Sequence, residues 1–131
     1  MSNTSYKIEQ HDKYSLIQVL EDKLTAKISP QLKTELVLLN SIETKNIIFD
    51  LDNTSYCDSS GLSVILVANR ICKENNGVLV ICNLKPAVSK LIEISQLTSV
   101  LNITPTQNEA IDFIFMDELE KGLEDMDENL N

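Results

Sequence analysis

Two short apolar runs constrain this chain more than any other feature in it. Ile47-Ile48-Phe49-Asp50-Leu51 and Val78-Leu79-Val80-Ile81-Cys82 are nearly continuous in apolar residues, and polar or turn-forming stretches bound both. A strand with one wet face alternates apolar and polar residues, whereas a run of this kind is suited to burial on both faces. Between them lies a segment with a different period. Val64, Ile65, Ala68, Ile71 and Cys72 recur at helical spacing within residues 62–73. Strand, helix and strand in this order describe a parallel pair joined by a crossover helix.

The flanking sequence extends that unit on both sides. Residues 6–10 alternate weakly, residues 14–20 are rich in β-branched and aromatic side chains, and His11-Asp12-Lys13 turns between them. The short connection implies an antiparallel hairpin. Glu21-Asp22-Lys23 breaks the pattern. Ser29-Pro30 then opens a helix, with serine expected as the cap and proline at the first helical position. Leu32, Leu36 and Leu39 form its apolar face with Val37 at the flank, and it ends within residues 40–44. Asn75-Asn76-Gly77 closes the next helix, with Gly77 able to adopt positive φ. Pro86 starts a third helix bearing Val88, Leu91 and Ile92, and residues 100–103 read as a last strand. Thr106-Gln107-Asn108-Glu109 is a capping box before Ala110, Ile111, Phe113 and Ile114. The order is β-β-α-β-α-β-α-β-α, so the expected fold class is α/β: a single domain with a mixed β-sheet and helices packed on it.

The charge is unevenly placed. Of the net −9, residues 116–131 contribute −6 (seven acids, one lysine) and residues 1–115 contribute −3 (thirteen acids, ten bases). The expected division is a domain over 1–115 and an acidic C-terminal helix end or tail over 116–131. No basic stripe follows a nucleic acid backbone, so direct nucleic acid binding is not expected. No apolar run approaches the ~18 residues of a membrane span. Nor is there a basic segment followed by an apolar one, as in a secretory signal, and a cytoplasmic location is expected. Cys57, Cys72 and Cys82 are odd in number and form no CxxC, which suits reduced core thiols better than a metal site.

Two stretches carry candidate chemistry. Asp50-Leu51-Asp52-Asn53-Thr54 resembles the D-x-D-x-T motif of haloacid-dehalogenase-type phosphatases, in which the first aspartate is the nucleophile beside Mg²⁺. A later acidic pair to complete the Mg²⁺ site is missing, and the following strand ends in Cys82-Asn83-Leu84 where that family has Ser or Thr. Asp50 and Asp52 are therefore expected to decorate a strand end and its turn, with a small Mg²⁺-dependent phosphatase the least favoured reading. The second stretch, Asp58-Ser59-Ser60-Gly61-Leu62, opens the central helix. Unpaired N–H groups and the positive end of the helix dipole meet there, so the site suits capping and suits phosphate. A catalytic serine needs a base and an orienting partner, but the one histidine, His11, lies in the hairpin turn and no G-x-S-x-G elbow exists. No catalytic residue, metal or cofactor is expected. From these five residues alone, helix capping is the plainer reading.

The wider sequence around that motif adds a resemblance. Cys57-Asp58-Ser59-Ser60-Gly61-Leu62-Ser63-Val64-Ile65-Leu66 resembles the signature of STAS domains, the sulphate-transporter and anti-sigma-factor-antagonist family, whose bacterial antagonist branch carries D-S-[ST]-G-L at the start of its second helix. Gly77 through Val88 resembles that family's glycine, strand and L-x-P-x-V helix start, and Leu91 through Leu97 its third helix. The resemblance covers roughly residues 6–115. It implies a STAS-like fold with the element order given above, and Ser59 as a phosphorylation site. It also implies partner-binding roles for Asp58, Ser60, Gly61 and Thr25. Leu62 is expected in the core. The implied function is that of an anti-sigma factor antagonist acting by partner switching. Unphosphorylated, such a protein binds an anti-sigma factor that is also its serine kinase; phosphorylation releases the kinase, and a serine phosphatase resets the switch. The alternative within the same family is a non-switching scaffold module in a signalling or transport assembly. Two departures stand out. Glu21-Asp22-Lys23-Leu24-Thr25 occupies the place of a common G-x-L-D segment, and Gln96-Leu97 occupies that of a common Gly-Leu.

Overall fold

The computed structural model describes residues 5–130. In chain order its elements are β1 (Tyr6–Gln10), β2 (Ser15–Val19), β3 (Lys23–Leu24), α1 (Ser29–Ser41), β4 (Ile47–Asp50), β5 (Tyr56–Cys57), α2 (Ser59–Glu74), β6 (Leu79–Cys82), α3 (Pro86–Ile94), β7 (Asn102–Thr104) and α4 (Gln107–Leu130). Five strands form one mixed sheet in the order β1-β2-β4-β6-β7. β1 and β2 are the expected antiparallel hairpin, with Tyr6 opposite Val19, and every later pairing in this sheet is parallel.

Side-chain alternation divides the core in two. Ile17, Val19, Ile47, Phe49, Leu79 and Ile81 face α1, α2 and α3. Leu16, Ile48, Val80 and Cys82 face Ala110 and Ile114 of α4. β4 and β6, which these two apolar runs form, are buried throughout because helices cover both of their faces.

Several expectations need correction. Ser29 does not cap α1: the N-cap is Ile28, no side chain caps the helix, and proline falls within its first two positions. The Ser29 hydroxyl instead donates to the Thr25 carbonyl at 2.7 Å, which also accepts from the Ile28 and Ser29 amides. The serine closes its own approach loop. The last strand lies at 102–104, because the Val100 and Leu101 amides both turn back to the Leu97 carbonyl. β3 and β5 form a small parallel ladder of their own that the periodicity did not mark.

Gly77 is not at positive φ; its neighbour Asn76 is, at 59°. Helices α1, α2 and α3 all close this way, on Glu43, Asn76 and Gln96 at φ of 57°, 59° and 60°. The next amide then reaches back to the helix: Thr44 to the Leu39 carbonyl, Gly77 to Cys72 and Leu97 to Ile92, at 3.0, 2.7 and 3.1 Å. This left-handed closure favours glycine, and a residue with a Cβ pays about 1–2 kcal/mol in that conformation. Gln96 holds this left-handed position at the end of α3 with a side chain in place. Gln96→Gly is therefore expected to stabilise the fold by about 0.5–1 kcal/mol, after the greater freedom of glycine in the unfolded chain is subtracted. A higher urea midpoint at unchanged slope would register it; an unchanged or lower midpoint would refute it.

α4 runs continuously through positions 115 and 116. Its start is half of the expected capping box, with the Glu109 amide donating to Thr106 Oγ1 at 3.2 Å. Its apolar burial ends at Ile114.

Candidate functional site

The chain leaves β4 at Asp50, which is 5% exposed. Asp50 Oδ1 accepts from the Asp52 amide at 3.0 Å and from Asn83 Nδ2 at 3.1 Å, and Oδ2 accepts from Gln107 Nε2 at 3.0 Å. This carboxylate ties together the ends of β4 and β6 and the start of α4. Asp52 lies exposed in the turn that follows. Among the described residues no group of three or more His, Cys, Asp or Glu could hold a metal. The D-x-D-x-T stretch thus forms a buried staple and its turn.

The chain then passes Thr54, whose hydroxyl donates to the Glu21 carbonyl at 2.9 Å, and enters β5. β5 pairs with β3, setting Cys57 opposite Leu24. The Asp58 amide continues this pairing to the Leu24 carbonyl at 3.3 Å. This two-residue ladder presses the first turn of α2 against the loop before α1.

Asp58 is the N-cap, extended in backbone, with its carboxylate accepting from the Gly61 amide at 3.1 Å. Capping thus falls to the aspartate, and both serines lie inside the helix. Ser59 is the first helical residue and is exposed, while Ser60 is half-buried. Their amides, at the first two helical positions, have no carbonyl four residues back within the helix, and none accepts from them in the preceding loop. Gly61 is buried. A Cβ there would stand 2.4 Å from the Leu24 carbonyl oxygen and 2.7 Å from Cys57 Sγ. The close approach that Gly61 permits is made by the chain's own backbone. Leu62 is partly buried against the core.

Two clefts meet at Ser59. One, of about 420 Å³, is lined by Ala26, Pro30, Lys33, Ser60 and Ser63 beside Ser59. The other, of about 480 Å³, is lined by Tyr56, Asp58, Ala87, Lys90, Leu91 and Ile94. It is the more apolar: Tyr56 is 50% and Ile94 68% exposed. Each cleft carries one lysine, so Ser59 lies between two cationic side chains. The structure brings Asp58, Ser59, Ser60 and Gly61 together. It sets Thr25 beside Leu24 on a separate, adjoining cleft with Asp22, Lys23 and Lys27, while the neighbouring Ala26 reaches the serine. Nothing in the sequence pattern singles out Lys33, Tyr56 or Ile94. Each belongs to the solvent side of an element, and only the docking of β5 against α3 and of α1 against α2 shows which of these sides looks on Ser59.

The remaining reactive groups are muted. All three cysteines are free and buried. Burial, with the nearby Asp58 charge, pushes the Cys57 thiol up to about 11. Burial pushes Cys72 up to about 12, and burial together with the charges of Asp50 and Asp52 takes Cys82 to about 12. At neutral pH they are thiols, and the thiolate is the nucleophile. His11 lies exposed in the hairpin turn, stacked on Tyr14 at a 4.7 Å centroid distance. Among the described residues no helix is long and apolar enough to cross a membrane.

Known proteins share this fold. BtrV of Bordetella bronchiseptica, a candidate anti-sigma factor antagonist by name, is 30% identical over 95 residues, covering 72% of this chain and 82% of its own. The anti-sigma F factor antagonist of Paenibacillus polymyxa is 25% identical over 103 residues, covering 78% and 88%. The structure of the anti-sigma factor antagonist SpoIIAA in its unphosphorylated form shares the fold at a TM-score of 0.68 and 20% identity, over 83% of this chain and 96% of that one. The phosphorylated form of Bacillus SpoIIAA gives 0.67 at 22% identity, over 83% and 98%. The family model described as the STAS domain matches residues 6–110, and this chain, with its β-β-α-β-α-β-α-β-α core and a serine at the first position of α2, belongs to the STAS domain family.

Proposed function

We propose that this protein is an anti-sigma factor antagonist that works by partner switching at Ser59. One observation carries the reading: the Ser59 hydroxyl is exposed at the first position of α2, between two clefts, while Asp58 does the capping. A serine that also served as the cap would be costly to modify; this one is not engaged in holding the fold. In the unphosphorylated state the surface around it, with Asp58, Ser60 and Thr25, and with Gly61 packed beneath it to set the height of the helix start, receives an anti-sigma factor that is also a serine kinase. Phosphate at Ser59 adds about −1.5 to −2 charges and three acceptor oxygens. The amides of Ser59 and Ser60 and the positive helix end can take those oxygens, so the domain tolerates them. A partner shaped to a neutral hydroxyl does not, and it dissociates. A serine phosphatase restores the first state. The names of the relatives, and the existence of a fold neighbour in phosphorylated form, support the reading. The protein acts through binding, in the cytoplasm, and is not an enzyme.

The test uses the full chain, ATP and a serine kinase of the anti-sigma factor type from the same genome. Intact mass is expected to show one added phosphate, absent in Ser59→Ala. Phosphate on Ser60, or none with an active kinase, overturns the assignment.

A further inference from the structure

Beyond Ile114, α4 still carries large apolar side chains but buries none of them in the core. Phe115, Met116, Leu119, Leu123 and Met126 are 48%, 56%, 57%, 54% and 60% exposed. At about 100° per residue these five fall within an arc of about 100°. The arc lies opposite Ala110 and Ile114, which face the sheet. The inner side of the same turns is polar and clamped. Glu118 Oε1 accepts from Asn46 Nδ2 at 3.1 Å and pairs with Lys45 Nζ at 3.4 Å. Lys121 Nζ donates to the Asn76 carbonyl at 2.8 Å and pairs with Asp117 at 2.7 Å. The helix is held by one face and presents an apolar seam on the other. Met116, Leu119, Leu123 and Met126 follow the three-four-three spacing of a two-helix seam.

Charge selects the occupant. Residues 116–131 hold seven acids and one lysine, and that lysine is already engaged by Asp117 and Asn76. Glu120 flanks the seam by helical position, and Glu124 and Asp125 lie further round the helix, one on each side. A second copy would set −6 against −6. An anionic lipid surface or a nucleic acid would meet the same repulsion. An amphipathic helix with lysine or arginine beside its apolar positions meets attraction from Glu120 at the seam's edge and from the acidic segment around it. Gly122 stands with nothing within 4 Å of where a Cβ would be, so the rim is open to close approach. We propose that the outer face of α4 docks a basic amphipathic helix of a partner protein. Asn46 and Asn76 precede β4 and β6, whereas Ser59 follows the far end of β4. The seam therefore lies away from the serine and is free whatever binds there.

The experiment titrates the full chain into a labelled synthetic peptide of about three heptads, with leucine at the seam positions and lysine or arginine beside them. Anisotropy is expected to show saturable one-to-one binding, weakened tenfold or more by Leu119→Glu and by Leu123→Glu, and unchanged by Ser59→Asp. Both replaced side chains are exposed, so circular dichroism and melting should match wild type. Absence of binding overturns the proposal, as does equal binding by the two variants, which would mean charge attraction alone. A wild-type dimer in sedimentation that Leu119→Glu dissolves would make the occupant a second copy and overturn it too. Failure of the Ser59 reading leaves every one of these outcomes readable.

Discussion

Gly77→Ala is expected to lower the unfolding free energy by about 3–5 kcal/mol. The added Cβ would stand 1.6 Å from the Lys45 carbonyl oxygen, 2.3 Å from its carbon and 2.8 Å from Asn46 Oδ1. Two of these three atoms are backbone, so no rotamer change relieves the clash. The segment itself must move, and Asn46 holds it. Asn46 is 1% exposed. Its carbonyl accepts from the Ser15 amide at 2.9 Å, and its side-chain oxygen accepts from the Val78 amide at 2.9 Å. Its side-chain nitrogen donates to the Lys13 carbonyl at 2.9 Å and to Glu118 at 3.1 Å. Displacing Asn46 unfastens the starts of β2, β4 and β6 together with α4, and leaves buried polar groups without partners. The urea midpoint should fall with little change of slope. Gly122→Ala is the control. It lies within α4 with open space around it, so alanine there should gain about 0.5–1 kcal/mol from helix propensity. If both variants lost stability alike, a general intolerance of change at glycine, rather than the Lys45 contact, would be the cause.

Gly77 also shows what a sequence conceals. Its place after Asn75-Asn76 predicts a left-handed helix end, and the chain does close there, but Asn76 adopts the left-handed conformation. The glycine answers to a carbonyl thirty-two residues earlier, and no local pattern encodes that distance. Gly61 repeats the lesson, facing Leu24 across the β3–β5 ladder. That ladder has two residues per strand, too few for any period to appear. What is legible is what repeats or carries its own chemistry: the runs at 47–51 and 78–82, the leucines of α1, and the aspartate able to cap α2. Ser29 misleads because serine before proline has the composition of a cap, yet the Thr25 carbonyl offers its hydroxyl a competing acceptor at 2.7 Å. In the C-terminal stretch the charge dominates the pattern, and seven acids hide an apolar seam of five residues whose exposure only tertiary packing reveals. At the site, the motif stretch from Asp58 to Gly61 was readable, while Lys33 and Ile94 reach the serine only through the arrangement of helices.

Ser59→Asp is expected to separate the stability of the domain from its recognition. A carboxylate in the first turn of a helix meets the positive end of the dipole and is worth about 0.3–1 kcal/mol at low ionic strength. Asp58 already caps Gly61, so the new group displaces no existing bond. The melting temperature should hold or rise slightly. Affinity for the proposed anti-sigma factor kinase should fall about 100-fold, a loss of about 2.8 kcal/mol, because in that proposal a charged group is buried against a surface arranged for a hydroxyl. Ser59→Ala should bind as wild type does, since the hydroxyl neither caps the helix nor is replaced by a charge. Calorimetric titration of the three forms, with melting curves on the same samples, reads both quantities. Added salt distinguishes the two sources of the loss: repulsion from acidic groups shrinks as screening grows, whereas desolvation of the buried carboxylate remains. If Ser59→Asp kept wild-type affinity, negative charge at the start of α2 would not be the switch. If it lost affinity and melted early, the serine would be holding the fold after all.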